Sequence, residues 1–301
     1  MTKVLVLGAS GLVGSKFVEA STYKDNILKP SHRDLDLSNK DSVRAYLAKE
    51  KPEIVINFAA FTDVTAAERE RDDKNGSCWQ FNYDGVVNLL ESLDPAKTKF
   101  IQISTHMVFS GLATDPGPYA EDHPVETDPQ KLNWYGVAKA EAEKAIQKRL
   151  GTQATIVRLV NPVRAKFAKK LDYLRKPLQL FDQGKLYPLF SDQQVSLTDI
   201  DETTLTLDKI IDQNASGVFH CSSRDTVIFS ELIKYLLLKA RGYAGELKTW
   251  SFDDYATNGA NKVRYPKFSG LKVEKTEKTL GLKFRTWQEI IDKLVAQGIT
   301  V

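Results

Sequence analysis

The sequence predicts an α/β fold with a doubly wound parallel sheet and a smaller C-terminal lobe. Over the first 160 of the 301 residues, short apolar runs alternate with helical stretches, an order typical of a parallel sheet with helices on both faces. The apolar run 4–7 leads directly into a turn with glycine at 8, 11 and 14. After about residue 164 the alternation loosens. We therefore expect one domain over 1–163 and a lobe over 164–301, with some elements of the lobe returning to the first domain.

Periodicity and composition predict the individual elements in order. The predicted strands are 4–7, 26–29, 54–58, 100–103 and 154–159, of which 26–29 has the weakest pattern. Their apolar residues run without polar alternation, as in strands buried on both faces. The predicted helices are 12–20, 41–49, 78–93, 135–150, 228–239 and 286–297.

The segment 166–175 is strongly basic. Two interpretations are open: a mobile or substrate-facing segment, or the solvated face of a helix.

Composition excludes several classes of protein. The net charge is +3, from 42 basic and 39 acidic residues, so we expect binding to neither nucleic acid nor membrane surfaces. Two cysteines, Cys78 and Cys221, suit a reducing compartment and do not have the spacing of a metal site. No apolar run approaches the ~20 residues of a membrane span, and the first predicted strand starts too early for a signal peptide. We expect a cytoplasmic protein without a metal.

The glycine turn predicts a dinucleotide site. Gly8 allows the tight turn, Gly11 lets the backbone approach a pyrophosphate, and Gly14 lets the helix pack closely on the strand. Amides at the start of the helix, at Leu12 and Val13, carry partial positive charge toward phosphates. The hydroxyl of Ser10 can join them. The first domain is thus predicted to be a Rossmann-type dinucleotide-binding domain.

The cofactor preference depends on the residues after the second strand. Asp34 lies 20 residues beyond Gly14, a spacing that suits an acid on the ribose of NAD. The residues just before it include Arg33, which can face a 2′-phosphate. We favour NADP(H) over NAD(H), with an exposed loop arginine as the alternative role of Arg33.

Tyr135 and Lys139 predict acid–base chemistry. On a helix they share one face, and a nearby ammonium lowers the pKa of a phenol by stabilising its phenolate. The hydroxyl of Ser104 or Thr105, at the predicted end of a strand, can bind the substrate oxygen. A glycine turn, a tyrosine and a lysine in this order indicate a nicotinamide-dependent carbonyl reductase.

These motifs resemble the extended short-chain dehydrogenase/reductase superfamily, and most closely its dTDP-4-dehydrorhamnose reductase family. The similarity extends over most of the chain. It rests on the segments 8–14, 34–37, 52–62, 81–82, 103–111, 118–122, 135–139 and 263–287.

The resemblance implies a set of site residues and a reaction. Thr105, Tyr135 and Lys139 would form the catalytic triad, and Tyr135 would protonate a keto oxygen during hydride transfer to a sugar nucleotide. The cofactor would be bordered by Asp36, Leu37, Ala59, Ala60, Thr62, Lys139 and Pro162. A lobe over 164–301 would bind the substrate, and the resemblance leaves a homodimer open.

Three segments on the substrate side depart from the family pattern. His106 and Met107 replace Asp-Tyr after the active threonine, and Asn161 stands where a tryptophan is common. Residues 192–198 lack the usual glycine and proline of a Gln-x-Gly-x-Pro-Thr stretch. We assign His106, Met107 and Asn161 to the substrate side. The alternative for His106 is a polar residue with its hydrogen bonds satisfied near the site. The alternative for Met107 is a residue of the apolar core.

Two other functions compete with reduction. An epimerase of the same fold needs only the tyrosine and a substrate free to turn over, whereas a dehydratase needs an acid–base pair that His106 and Met107 do not supply. A cofactor-binding regulatory protein that has kept the fold is the alternative outside enzymology.

Overall fold

The computed structural model describes residues 2–258 and 263–301. Its strands are β1 (Val4–Leu7), β2 (Ile27–Leu28), β3 (Ile54–Asn57), β4 (Lys99–Thr105), β5 (Thr155–Leu159), β6 (Pro162–Val163), β7 (Leu189–Phe190), β8 (Gln194–Val195), β9 (Thr198–Asp199), β10 (Gly217–Cys221), β11 (Val227–Ile228) and β12 (Thr249–Trp250). Its helices are α1 (Gly14–Ala20), α2 (Lys40–Glu50), α3 (Val64–Arg69), α4 (Ser77–Trp79), α5 (Gly85–Ser92), α6 (Trp134–Leu150), α7 (Arg175–Asp182), α8 (Ile200–Asp212), α9 (Phe229–Arg241), α10 (Phe252–Asn258), α11 (Glu274–Leu280) and α12 (Trp287–Ala296).

A six-stranded parallel sheet organises the fold, in the order β10-β5-β4-β3-β1-β2. Every residue of β1 and β3 is buried, as their apolar runs predict, and the buried set includes the polar Asn57 that ends β3. The chain leaves β1 for β2 on one side and then crosses to β3 on the other side of β1. In doubly wound sheets the carboxyl ends of the strands at such a crossing point flank the ligand crevice. The predicted α/β fold with a doubly wound parallel sheet is confirmed.

Contacts divide the chain into two units. Unit 1 consists of Met1–Ser110, Pro124–Arg158 and Thr204–Phe219, and unit 2 consists of Gly111–His123, Leu159–Thr203 and His220–Val301. The apolar core of unit 1 lies between the sheet and helices α2, α5 and α6, around residues such as Leu5, Val55 and Leu89. The core of unit 2 includes Leu232, Leu236 and Ile290 from α9 and α12. Within unit 2, the short strands pair as β6 with β9, β7 with β12 and β8 with β11.

The helix predicted over 78–93 is interrupted. A π-helical turn over Gln80–Asp84 separates α4 from α5, and Gly85 N donates to Gln80 O, five residues back. The wider turn carries Asn82, whose side-chain amide exchanges two hydrogen bonds of 3.0 Å with the backbone N–H and C=O of Phe61. Periodicity predicted one helix because a single inserted residue leaves the apolar stripe on both sides intact.

The basic segment 166–175 is not the solvated face of a helix. Turns and irregular backbone precede α7, which begins at Arg175, and the Arg175 side chain is buried. Its guanidinium donates to Asp172 Oδ2 at 2.7 Å, to Phe167 O at 2.8 Å and to Lys170 O. Arg175 therefore holds the loop that carries the lysines of the basic segment.

Candidate active site

The glycine turn follows the carboxyl end of β1 and packs against the backbone that follows β3. Gly8 has φ +72°, and a Cβ there would lie 2.6 Å from Ala59 N. A Cβ on Gly14 would lie 2.5 Å from Gly8 O, so both positions require glycine on packing grounds. A Cβ on Gly11 would meet Gly8 O at 3.3 Å, and chain neighbours aside, no other atom of the described residues comes within 4 Å. The outer side of the turn is thus open at Gly11.

Two asparagines hold the backbone that follows β3, next to this turn. The site assignment from sequence did not include them. Asn57 ends β3, donates to Gln102 Oε1 at 3.0 Å and accepts from Ala59 N at 3.1 Å. Asn82 fixes Phe61 through the two bonds described above. Ala59, Ala60 and Thr62 therefore lie on a backbone held from both sides. A polar residue that ends an otherwise apolar strand was the available signal for Asn57.

The loop after β2 holds its acids in local turns. Asp34 accepts from Ser31 N at 2.9 Å and from Ser31 Oγ at 2.7 Å, and these bonds lower the pKa of Asp34. Asp36 accepts from Ser38 in the same way, with the same effect on its pKa. Leu37 is buried in the core of unit 1, whereas Arg33 is exposed in the turn. The acid at the expected distance from Gly14 is therefore engaged by its own turn.

Thr105 and Tyr135 meet where β4 ends and α6 begins. Thr105 caps a short 3₁₀ turn by accepting from Met107 N at 3.2 Å, and its hydroxyl is hydrogen-bonded to that of Tyr135. Helix α6 starts at an Asn133 cap that accepts from Gly136 N at 2.8 Å. A Cβ on Gly136 would lie 2.2 Å from Met107 O. Glycine after the tyrosine thus lets α6 rest directly on the turn that follows Thr105.

Lys139 lies one helical turn beyond Tyr135 and is 2% exposed. Its ammonium donates to Ile103 O at 2.7 Å. Burial lowers the pKa of Lys139 to about 8, and the negative charge of Glu143 acts in the opposite direction. Burial also raises the pKa of the Cys78 thiol to about 11.

The pKa of Tyr135 is raised in this structure, whereas the neighbouring ammonium of Lys139 was expected to lower it. Burial raises the pKa of Tyr135 well above its usual value, Cys78 acts in the same direction, and the hydrogen bond from Thr105 opposes them. Desolvation dominates because the phenolate would be a buried anion. At neutral pH the phenol therefore keeps its proton, as a proton donor must.

The choice between Ser104 and Thr105 follows from their partners. Ser104 Oγ donates to Glu143 Oε1 at 2.5 Å, inside the protein. Glu143 also accepts a hydrogen bond from Arg158, whose Nη2 lies 2.7 Å from Glu143 Oε2. The hydroxyl next to Tyr135 is therefore that of Thr105. Sequence reasoning missed Glu143 and Arg158, although a charged residue in the apolar run 154–159 was a signal.

The residues assigned to the substrate side are distributed over both units. In unit 1, His106 is buried in the 3₁₀ turn, and the thioether of Met107 lies 3.6 Å from Asn133 Nδ2. In unit 2, Asn161 has φ +42° and donates to Ser196 O at 3.1 Å. Two of the three departures from the family pattern, Asn161 and the segment 192–198, are thus in contact. Pro162 begins β6, which pairs with β9.

The described residues contain neither a metal-binding cluster nor a membrane-spanning helix. Across residues 2–258 and 263–301, no group of three or more His, Cys, Asp or Glu side chains is arranged to hold a metal ion. In the same residues, no helix is both long enough and apolar enough to cross a membrane.

Comparison with known proteins identifies the family. Residues 1–299 match the RmlD substrate binding domain. The dTDP-4-dehydrorhamnose reductase of Sinorhizobium fredii is 26% identical over 97% of this chain and 96% of its own length. Spore coat polysaccharide biosynthesis protein SpsK of Bacillus subtilis is 25% identical, with the same coverage of both chains.

A solved structure shares the fold. The dTDP-4-dehydrorhamnose reductase of Bacillus anthracis, in complex with NADP, superposes with a TM-score of 0.83 at 22% identity, over 99% of this chain and all of the other. The resemblance drawn from the sequence motifs is confirmed, and the chain belongs to the RmlD substrate binding domain family.

Proposed function

We propose that this protein is an NAD(P)H-dependent reductase of a keto sugar nucleotide, with Tyr135 as the proton donor. The hydrogen-bonded hydroxyls of Tyr135 and Thr105, with the buried ammonium of Lys139 on the next turn of the same helix, carry the proposal. They lie at the end of β4, and β4 is parallel to β3, which is parallel to β1. The hydroxyl pair and the glycine turn therefore belong to the same edge of the sheet.

The glycine turn fits the pyrophosphate of a dinucleotide. Gly8, Gly11 and Gly14 would let the backbone approach it, with amides of Leu12 and Val13 and the hydroxyl of Ser10 as donors. Ala59, Ala60, Thr62 and Pro162 would border the cofactor, and Asp36 and Leu37 would lie by its adenine.

We favour NADP(H) because the acid that would bind a free ribose is otherwise engaged. Asp34 is held by Ser31, whereas the guanidinium of Arg33 lies exposed in the same turn. A cation there would attract a 2′-phosphate and gain little from an unmodified ribose.

The chemistry follows from the protonation states of the side chains. A bound reduced nicotinamide supplies the hydride for the carbonyl carbon. Tyr135 donates its phenolic proton to the carbonyl oxygen, which becomes the product hydroxyl. Thr105 holds that oxygen by a hydrogen bond, and the cationic Lys139 stabilises the phenolate that remains.

Oxidation of NADPH by purified protein, with a panel of keto sugar nucleotides, tests the proposal. Tyr135→Phe should lower kcat by about 10²–10⁴-fold, because the ring stays and the proton is lost. Its affinity for NADPH should stay nearly unchanged. Tyr46→Phe, the same change on α2, is the matched control and should keep full activity.

The alternatives give different results in this assay. An epimerase would convert a sugar nucleotide without net oxidation of NADPH. A regulatory protein would bind NADPH without turning over any member of the panel. Unchanged turnover by Tyr135→Phe would remove the proton-donor assignment.

A further inference from the structure

A chain of buried charges continues along α6 behind the proposed catalytic residues. Tyr135, Lys139 and Glu143 follow one another at intervals of four residues, so they share one face of the helix. Glu143 is 1% exposed and Arg158, on β5, is 2% exposed. This pair lies within unit 1, together with Thr105, Tyr135 and Lys139.

Hydrogen bonds connect the pair to the strand that carries Thr105. Arg158 Nε lies 3.1 Å from Glu143 Oε1, and Arg158 Nη2 lies 2.7 Å from Oε2, a two-pronged arrangement that fixes the carboxylate plane. The hydroxyl of Ser104, the residue before Thr105, donates to the same carboxylate at 2.5 Å. The guanidinium also stacks 4.9 Å from the ring centre of Phe109.

We propose that the buried Glu143–Arg158 pair is a positioning element for catalysis, which keeps Lys139 cationic beside Tyr135 and anchors the end of β4. This inference rests on the proposed reductase function. Glu143 is the negative group on the face of the helix that carries the buried ammonium, one turn away. Arg158 limits how much of that charge Lys139 experiences. Neither side chain touches the reacting atoms.

The other groups around Lys139 do not replace this function. Tyr135 stays neutral because of its burial, and β4 contributes the neutral carbonyl of Ile103 and the hydroxyl of Thr105. Cys78, on α4, keeps its proton at neutral pH because burial raises its pKa to about 11. Apart from Lys139, the charged neighbours of Cys78 are Glu70 and Glu68. Glu143 is thus the ionised carboxylate that acts directly on Lys139.

Replacing Glu143 and replacing Arg158 should shift the pH at which Lys139 loses its proton, called its midpoint below, in opposite directions. Glu143→Gln removes the negative charge and leaves Arg158, so Lys139 should lose its proton at a pH about one unit lower. Arg158→Met leaves Glu143 ionised and less compensated, so the same midpoint should rise. The double variant Glu143→Gln/Arg158→Met should fall between Glu143→Gln and the wild type. This variant also covers the case in which a single variant does not fold, since it leaves neither Glu143 nor Arg158 buried without its partner.

Two measurements read the midpoint. The basic limb of the pH profile of kcat/KM reports it during turnover. NMR titration of isotope-labelled lysine side chains reports it without turnover, with the Lys139 signal assigned by its loss in Lys139→Met. Arg175→Met, which breaks a buried pair in unit 2, is the matched control and should destabilise the protein without moving the midpoint.

The outcomes separate this inference from the proposed function. The inference is supported if the midpoint of Lys139 increases in the order Glu143→Gln, double variant, wild type, Arg158→Met. Midpoints that stay together, or shift in one direction for both halves of the pair, overturn it even in an active reductase. Ordered NMR midpoints in a protein that reduces no keto sugar nucleotide would sink the reductase proposal and leave the electrostatic action of the pair standing.

Discussion

Two buried arginine–carboxylate pairs, one in each unit, have the same chemistry and different surroundings. Glu143–Arg158 links α6 to β5 across 15 residues and adds a side-chain hydroxyl, that of Ser104. Asp172–Arg175 spans three residues, and its further partners are backbone groups such as Phe167 O and Leu174 N. The first pair lies beside a third charge, Lys139, and can change its ionisation. The second holds a loop. Burial of an ion pair therefore does not by itself indicate a functional site. The groups around the pair decide whether it acts on a catalytic residue or only holds a loop.

Removal of either arginine should produce the largest change in stability. Arg158→Met and Arg175→Met each leave a buried carboxylate unpaired, which should cost about 3–5 kcal/mol in the free energy of unfolding. Urea denaturation measures both. Similar losses, with a change in the pH dependence of activity for Arg158→Met alone, would support the distinction between the pairs. A stability loss below about 1 kcal/mol at either site would contradict its description as a buried pair.

Lys139→Met should increase stability at neutral pH while abolishing activity. The pKa of Lys139 falls from 10.5 in the unfolded chain to about 8 in the folded protein, so the unfolded state binds more protons between these values. Wild-type stability therefore rises with pH through this window, and the cost of burying the cation is complete below pH 8. Net of the lost bond to Ile103, the variant should gain about 2 kcal/mol at pH 7.

Thermal and urea unfolding between pH 6 and about 10 test this sign. The advantage of Lys139→Met should shrink as the pH rises above 8. Lys148→Met, at an exposed position of the same helix, should show no such trend. A variant that is less stable than the wild type at pH 7 would show that Lys139 is well compensated in the fold.

The smallest effect is expected at the exposed lysines of the basic segment. Lys169→Gln should change the free energy of unfolding by less than about 0.5 kcal/mol, because the side chain is exposed. Urea denaturation beside Arg175→Met gives the contrast. A large loss at Lys169 would mean that the loop is held by its surface charges as well as by its buried arginine.

Prediction from sequence succeeded where a local pattern has a single physical cause. Glycines at 8 and 14 are explained by backbone contacts closer than any Cβ allows. Thr286 and Glu289 form a capping box at the start of α12, the last predicted helix. The predicted helix 78–93 did not reveal the π-helical turn at Gln80–Asp84, where the side chain of Asn82 binds the backbone of Phe61, 21 residues away. A tertiary contact of this kind leaves no periodic trace.

Five of the six strands of the large sheet, the glycine turn and the Tyr135–Lys139 spacing were available from the amino-acid sequence, since each depends on residues close together in the chain. The direction of the Tyr135 pKa, the choice of Thr105 over Ser104 and the link from Glu143 to Arg158 required the folded molecule. These features depend on desolvation and on partners from separate elements, which meet when α6, β4 and β5 pack together.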